Sequence, residues 1–284
     1  MVTEREWLSA AARRLAAAGC ADAGFDARCL LEDLGGLPRG HAPGDRVLTA
    51  AQQQALDRAL AERENGRPLQ YILGQWEMLT LSLSVGEGVL IPRPDTELLC
   101  ETAAERLAGR SGAQVLDLCA GSGCVGLGIA SLCPQNGLHV TAVELSEDAL
   151  PYLRENLRRY PQFDVRAVRA DVLTDAGRFP AEGFDAIVSN PPYIPSGELP
   201  ALQREVQREP AMALDGGSDG LAFYRAIAGD WLSRLKAGGF LAAEVGAGQA
   251  EAVAALFSTA GLTEVHTLCD LAGIGRVVIG TKNG

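Results

Sequence analysis

The stretch Val115-Leu116-Asp117-Leu118-Cys119-Ala120-Gly121-Ser122-Gly123-Cys124-Val125-Gly126 joins an apolar run to a glycine-rich turn. The apolar run predicts a buried strand, and Gly121 and Gly123 let the backbone turn tightly beside a ligand. A predicted helix follows and presents its N-terminus to the same place. The next predicted strand ends in Glu144, 21 residues after Gly123, where a carboxylate can accept two hydrogen bonds from a ribose diol. The pattern therefore predicts a nucleotide-containing cofactor at this turn.

Strands and helices alternate from residue 113 onward. Such alternation over short turns predicts an α/β fold with a doubly wound parallel sheet. Ligands of such sheets bind at the carboxyl ends of the strands, where we expect the site. The predicted strands cover 114–119, 140–144, 165–170, 186–190, 240–245, 263–268 and 276–280, and the predicted helices cover 125–132, 147–159, 220–235 and 249–260.

Two cofactor classes fit the glycine loop. Read as Gly121-x-Gly123-x-x-Gly126, it matches the dinucleotide fingerprint, which keeps a nicotinamide-dependent oxidoreductase as an alternative. Asp117 favours S-adenosylmethionine instead, because methyltransferase loops read D-x-G-x-G-x-G and this acid stands where the amino-acid part of that cofactor lies. Cys119 occupies the first glycine position of that pattern.

The most informative motif is Asn190-Pro191-Pro192-Tyr193, an NPPY motif that follows a predicted strand. Methylating an amide or an exocyclic amine is difficult because the nitrogen lone pair is delocalised into a π system. The side-chain carbonyl of Asn190 and the main-chain carbonyl of Pro191 are suited to accept both N–H groups and to hold the nitrogen in line. The prolines stiffen the turn, and Tyr193 offers a flat face for stacking. We therefore predict these four residues to be catalytic and substrate-binding.

Composition and charge argue against several functional classes of protein. The chain has 284 residues and a net charge of −11, which argues against a protein that grips a phosphate backbone. The seven cysteines include no C-x-x-C pair and the three histidines are widely spaced, so no metal site is predicted. We find no signal-peptide pattern and no apolar run of about 18 residues, and we expect a cytoplasmic protein with no membrane partner.

The first part of the chain is organised differently. Residues 1–74 show helical spacing of apolar residues and predict a small helical bundle. Residues 75–92 alternate apolar and polar side chains before two glycines, which predicts a β-hairpin linker. The third region, residues 93–284, contains the glycine loop and the tetrapeptide.

The whole sequence resembles the bacterial peptide chain release factor glutamine N5-methyltransferase family. Beyond the two motifs above, the resemblance rests on the segments 67–74, 88–97, 209–210, 213–217, 219–221 and 270–276.

This resemblance implies a seven-stranded, Rossmann-like class I methyltransferase domain at 93–284, with a substrate-recognising bundle at 1–74. It implies that S-adenosyl-L-methionine donates the methyl group, leaving S-adenosyl-L-homocysteine, and that the acceptor is the glutamine in the Gly-Gly-Gln motif of class I release factors. Asp171 is followed by Val172, so the implied adenine contact is apolar. Arg93 and Glu97 either pack the linker onto the site or have an ordinary role at the start of the helix that follows. The implied cofactor-binding residues are Asp117, Cys119, Ala120, Gly121, Ser122, Gly123, Glu144, Asp171, Val172 and Asn190.

Other functions stay open at this point. A DNA adenine-N6 methyltransferase shares the tetrapeptide and acts on a flipped base, but the negative charge and the lack of a basic target-reading domain disfavour direct nucleic-acid binding. A ribosomal protein glutamine methyltransferase differs only in the linker and N-terminal region. An oxidoreductase or a non-enzymatic binding module leaves Asn190 to Tyr193 unexplained.

Overall fold

The computed structural model describes residues 1–284, which form two compact units. The helical unit contains Met1–Gln75 together with the short segment Gln203–Arg208. The α/β unit contains Trp76–Leu202 and Glu209–Gly284. The helical unit is therefore discontinuous in sequence, a feature that the apolar spacing of residues 1–74 does not reveal.

The helical unit is built from four helices. Thr3 and Thr49 begin α1 and α3 with capping boxes, in which the hydroxyl accepts from the backbone three residues ahead. The short fourth helix is not evident from the sequence; it begins after Pro68 and ends at Gly74, whose φ is 73°. The helices are α1 (Glu4–Ala17), α2 (Ala23–Asp33), α3 (Ala50–Glu64) and α4 (Leu69–Leu73).

A buried arginine holds the discontinuous segment in this unit. Arg63 on α3 donates from Nε to Asp26 Oδ2 at 2.7 Å and from Nη1 to Glu205 Oε1 at 2.9 Å. Arg63 is only 6% exposed and Asp26 5%. Burial raises the pKa of Asp26, although the nearby Arg63 opposes that rise. The segment Gln203–Arg208 thus supplies one of the two counterions of a buried charge.

The α/β unit opens with the predicted hairpin, formed by β1 (Gln75–Met78) and β2 (Leu81–Ser84). A single sheet of seven strands follows, with helices packed on both faces. The strands are β3 (Gln114–Leu118), β4 (His139–Glu144), β5 (Asp164–Arg169), β6 (Phe184–Ser189), β7 (Leu235–Glu244), β8 (Leu262–Cys269) and β9 (Gly275–Lys282). The helices are α5 (Asp95–Leu107), α6 (Cys124–Leu132), α7 (Leu150–Arg159), α8 (Ala222–Gly229) and α9 (Ala250–Thr259).

The strand order is β5-β4-β3-β6-β7-β9-β8. The first five of these strands pair in parallel, as predicted, but β9 is antiparallel to both β7 and β8. The expectation of a wholly parallel sheet was therefore wrong at this edge. The physical reason is the short connection between β8 and β9, residues 270–274, because a parallel crossover needs a dozen or more residues.

One predicted helix is also shorter than expected. The spacing predicts a helix over 220–235, whereas α8 ends at Gly229 and a 3₁₀ turn, Trp231–Arg234, follows. Trp231 is fully buried there, and its indole Nε1 donates to the carbonyl of Val172 at 2.7 Å. This contact ties the 3₁₀ turn to the loop after β5, which belongs to the site described next.

Candidate active site

A cavity of about 420 Å³ opens at the carboxyl ends of the central strands. The loops after β3, β4, β5 and β6 form its inner walls, as expected for a sheet whose strand order reverses between β3 and β6. Of the predicted site residues, those that line the cavity are Cys119, Ala120, Gly121, Ser122, Glu144, Asp171, Val172, Asn190 and Pro192. The predicted site residues that are not part of the lining are Asp117, Gly123, Pro191 and Tyr193.

The loop after β3 turns through left-handed backbone. Gly121 has φ 55° and Gly123 has φ 83°. A Cβ on Gly123 would lie 2.6 Å from Leu153 Cδ1, so a larger residue here would also force the Leu153 side chain to shift. Cys119 has φ 61°, a left-handed conformation that L side chains rarely adopt. A glycine at this position would adopt the same conformation without strain.

Glu144 is joined to the glycine loop by its carboxylate. Its Oε2 accepts from the backbone N–H of Gly121 at 2.8 Å, and its Oε1 accepts from that of Ser146 at 2.7 Å. Each carboxylate oxygen retains a second lone pair. Glu144 is thus oriented by two backbone donors and still able to accept hydroxyl groups from a ligand in the cavity.

Asp117 lies beneath the loop. It is fully buried, its Oδ2 accepts from the N–H of Gly126 at 2.9 Å, and its Oδ1 has no hydrogen-bond partner. Burial raises its pKa to about 7, the hydrogen bond from Gly126 opposes the rise, and Glu144 adds to it. Because Asp117 does not line the cavity, it anchors the start of α6 and organises the loop from below.

Gly126 accounts for the dinucleotide-like spacing in the loop. A Cβ at this position would lie 3.0 Å from both Asp117 Oδ2 and Val140 Cγ1. Close packing of α6 on the sheet therefore favours a glycine at this position. The third glycine of the fingerprint has a local explanation that needs no dinucleotide.

The loop after β5 supplies the apolar wall that the sequence predicts. Asp171 Oδ1 accepts from the N–H of Leu173 at 2.8 Å, which fixes the turn, and the half-exposed Leu173 lines the cavity next to Val172. Val172 is in turn held by Trp231 through its carbonyl.

Asn190 follows β6 and faces the same cavity. Its Nδ2 donates to Thr96 Oγ1 at 3.1 Å, and Thr96 is fully buried near the start of α5. Pro191 and Pro192 are buried beside it. The side chain of Asn190 is therefore held in place by a residue 94 positions earlier in the chain.

Tyr193 is packed by glycines. Its carbonyl accepts from Gln249 Nε2 at 2.8 Å, a Cβ on Gly246 would lie 3.0 Å from its Cδ2, and a Cβ on Gly220 would lie 2.3 Å from its carbonyl oxygen. Burial raises the pKa of the Tyr193 phenol to about 12. These contacts explain the glycines at 220 and 246, and they fix the end of the tetrapeptide.

Arg93 and Glu97 have separate roles in the structure. Arg93 lines the cavity and pairs with Glu209, whose Oε2 also accepts from the N–H of Ile91 at 3.0 Å. Glu97 accepts from the N–H of Leu79 at 2.8 Å and so fastens the hairpin turn to α5. Glu97 thus packs the linker, whereas Arg93 joins two walls of the cavity.

Three acidic or hydroxyl residues near the tetrapeptide escaped the motif-based prediction of the site. Thr96 and Glu209 lie in segments that carried the resemblance, but nothing in their spacing indicates that they approach Asn190 or Arg93. Glu244 ends β7, is 2% exposed, and has an Oε2 atom without a hydrogen-bond partner. Its place at the end of an apolar strand is the one signal that could have marked it.

The cavity fits S-adenosylmethionine by the chemistry of its lining. Glu144 offers acceptor lone pairs for a ribose, Val172 and Leu173 offer an apolar wall, and a Cβ on Gly121 would meet no atom nearer than Val89 Cγ2 at 4.0 Å. Gly121 therefore leaves open space on the cavity side of the loop. The volume lies within the range of small-molecule sites.

Comparison with known proteins agrees with the fold. The family model described as "Methyltransferase small domain" matches residues 94–217, and "PrmC N-terminal domain" matches residues 6–74. The fold resembles that of the Thermus thermophilus 16S rRNA N2 G1207 methyltransferase, solved with AdoMet and guanosine (TM-score 0.53, 24% identity, 74% of this chain and 50% of that one). It also resembles a methyltransferase from Pyrococcus furiosus (TM-score 0.51, 16% identity, 83% of this chain and 100% of that one). The protein is thus a class I methyltransferase by fold.

Curated relatives define the family more narrowly. The release factor glutamine methyltransferase of Caulobacter vibrioides is 39% identical over 281 residues, covering 97% of this chain and 95% of the relative. That of Bordetella pertussis is 41% identical over 256 residues, covering 89% and 93%. The chain belongs to the release factor glutamine methyltransferase family, as the resemblance predicted.

Two further observations bear on partners. None of the helices combines the length and the apolar character that crossing a membrane requires. No group of three or more His, Cys, Asp and Glu side chains is arranged to hold a metal ion.

Proposed function

We propose that this enzyme transfers a methyl group from S-adenosyl-L-methionine to the side-chain amide nitrogen of the glutamine in the Gly-Gly-Gln motif of class I release factors. The observation that carries the proposal is the position of Asn190. Its side chain lines the same cavity as the glycine loop and Glu144, and Thr96 holds it there. An acceptor for a planar amide and a site for a ribose-bearing donor therefore share one cavity.

The donor and the acceptor occupy different walls in this proposal. Cys119 to Gly123 and Glu144 hold the cofactor, with Val172 against the adenine and Asp117 supporting the loop from below. When bound, S-adenosylmethionine supplies an electrophilic methyl group on a sulfonium. Transfer would form an N–CH₃ bond as the S–CH₃ bond breaks with its electron pair left on sulfur, and the nitrogen would release one proton to solvent.

The residues of the tetrapeptide act on the amide. Asn190 Oδ1 and the Pro191 carbonyl accept the two N–H groups of the glutamine, which orients its nitrogen toward the methyl group. These hydrogen bonds strengthen as positive charge develops on the nitrogen, so they stabilise the transition state more than the ground state. Tyr193 supports the turn and offers its face to the planar amide.

The remaining parts of the assignment follow from the same substrate. We propose that the helical bundle at 1–74 recognises the release factor, that the hairpin at 75–92 links it to the methyltransferase domain at 93–284, and that the protein acts in the cytoplasm. The charge of −11 favours a protein acceptor over DNA.

The test is a transfer assay with labelled S-adenosylmethionine and three acceptors side by side: a class I release factor, a ribosomal protein preparation and double-stranded DNA. We expect label on the release factor, and none when its acceptor glutamine is replaced by alanine. Label on that alanine variant, or label on DNA or ribosomal protein in preference to the release factor, would overturn the assignment.

A further inference from the structure

We propose that Glu244 is a positioning residue that fixes the orientation of the Asn190 amide through Thr96, so that Asn190 presents its oxygen, and not its NH₂ group, to the substrate nitrogen. This inference rests on the proposed function, since it assigns a role within that same site. Glu244 does not line the cavity and touches no substrate.

The sheet places Glu244 beside Asn190. Strands β6 and β7 pair in parallel, with Ser189 opposite Ala243. Asn190 directly follows β6 and Glu244 ends β7, so each comes one residue after this pair, and the register brings both to the same edge of the sheet. Glu244 is 2% exposed, and its backbone carbonyl accepts from the Tyr224 hydroxyl at 2.8 Å. This hydrogen bond fixes the backbone of Glu244, whose side chain is buried.

The hydrogen bonds have a defined direction. Asn190 Nδ2 donates to Thr96 Oγ1 at 3.1 Å, which leaves the hydroxyl hydrogen of Thr96 free to donate onward. Thr96 and Asn190 both lie beside the side chain of Glu244 and lower its pKa. An ionised carboxylate is only an acceptor, so it holds the donors of both residues on its own side. The oxygen of the Asn190 amide is then left for the cavity.

A carboxylate is needed for this selection. A hydroxyl alone accepts or donates with equal ease, so Thr96 without Glu244 would tolerate either orientation of the Asn190 amide. In the reversed orientation an NH₂ group would face the N–H groups of the substrate. The negative charge behind Thr96 makes that orientation costly, because the amide oxygen would then approach a carboxylate.

The same cluster contains several charged or titratable groups. Burial raises the pKa of Glu244 to about 7, while the hydrogen bonds from Thr96 and Asn190 and the charge of Arg276 oppose the rise. Orientation is enforced only when Glu244 is ionised, so transfer should increase as pH rises through about 7. The groups that sense or influence this carboxylate are Asp95, Arg276, Tyr193, Tyr224, Cys100 and Cys124.

The decisive variant is Glu244→Gln, which keeps the shape but can both donate and accept. We expect kcat to fall about 10- to 100-fold, with the KM for the release factor and the Kd for S-adenosylmethionine within about twofold of wild type. The rise in kcat through pH 7 should disappear. Asp117, whose pKa is also about 7, is unchanged in this variant, so loss of the rise assigns it to Glu244.

Two further variants separate positioning from simple destabilisation. Asp185→Asn alters a carboxylate at the opposite end of β6 from Asn190, where Asp185 pairs with Lys236 at 2.8 Å, and should leave both kcat and its pH profile unchanged. Thr96→Val removes the intermediate hydroxyl and should reproduce the loss seen with Glu244→Gln. The double variant should lose little more than either single one, because both break one chain of hydrogen bonds.

Three outcomes would overturn the proposal: an unchanged pH profile in Glu244→Gln, additive losses in the double variant, or a loss of cofactor affinity equal to the loss of kcat. Failure of the proposed function would look different from failure of this proposal, because the wild-type enzyme itself would then leave the release factor unlabelled. If wild type labels another acceptor, the same variants are compared on that acceptor.

Discussion

The backbone N–H of Gly121 lies 2.8 Å from Oε2 of Glu144, so the glycine loop and the acid of the neighbouring strand form one hydrogen-bonded unit. Gly121 has φ 55° and borders open space in the cavity. Gly137 has a similar backbone, with φ 58°, but lies outside the site, and a Cβ added there would meet no atom within 4 Å.

These two glycines make a matched pair for the first prediction. Gly121→Val should weaken binding of S-adenosylmethionine by at least about tenfold, because the new side chain occupies cavity space as well as straining the backbone. Gly137→Val adds only the backbone strain. Isothermal calorimetry with the two variants checks this, and equal losses of affinity would show that strain alone is responsible.

Asn190→Ala is expected to reduce methyl transfer by about 10²- to 10³-fold, the scale of losing one preorganised polar contact in a transition state. Cofactor binding should stay within a few-fold of wild type. Single-turnover transfer and calorimetry measure the two effects separately. Asn283→Ala, on the surface of the α/β unit, serves as the control. A parallel loss of cofactor binding would make Asn190 a structural residue.

Cys119 has a left-handed backbone without being glycine. Cys119→Gly should therefore raise the free energy of unfolding by up to about 1 kcal/mol, since the left-handed conformation costs an L residue about 1–2 kcal/mol and glycine returns part of that gain through chain entropy. Cys124→Gly, at the start of α6, should lower it instead. Urea unfolding of both variants checks the sign, and a loss of stability in Cys119→Gly contradicts the strain argument.

Arg63 and Arg14 differ in burial but both pair with carboxylates. Arg63→Met leaves Asp26 buried without its partner and should destabilise the helical unit by about 3–5 kcal/mol. Arg14→Met breaks a half-exposed pair with Glu64 and should cost about 0–1 kcal/mol. Urea unfolding followed by circular dichroism measures both changes, and similar values for the two would refute the role of burial.

Stability should also depend on pH through Asp117. Its pKa rises from an ordinary 3.8 to about 7 on folding, so the folded chain binds more protons than the unfolded chain between these values. The contribution of Asp117 to the free energy of unfolding therefore decreases as pH rises from about 4 to 7. Asp117→Asn should flatten that dependence in urea titrations at several pH values. An unaltered slope would show that Asp117 titrates normally.

The parts of the site formed by neighbouring residues in the sequence were predictable, whereas the contacts between residues far apart in the sequence were not. The glycine loop and the tetrapeptide each need special backbone or side-chain chemistry at adjacent positions, so their residues stand out in the sequence. Thr96 and Glu244 meet Asn190 only because the fold brings distant positions together. A lone glutamate ending an apolar strand does not indicate which side chain it will face.

The same distinction applies to the fold. Alternating strands and helices predicted most of the sheet, because period and turn residues are local signals. The direction of β9 depends on the short turn before it, and the discontinuous helical unit depends on Glu205 reaching Arg63. The direction of β9 is thus decided by the length of one connection. The make-up of the helical unit is decided by a contact between segments far apart in the sequence.

The segment Gln203–Arg208 limits how the helical unit can be exchanged in protein engineering. In a chimaera that takes only its first 75 residues from a relative, the residues around position 63 would come from that relative, whereas Glu205 would come from this protein. A fragment that ends at Gln75 would leave Arg63 with Asp26 alone. Exchanges that preserve the buried charges must therefore move six residues from a later part of the chain together with its N-terminal part.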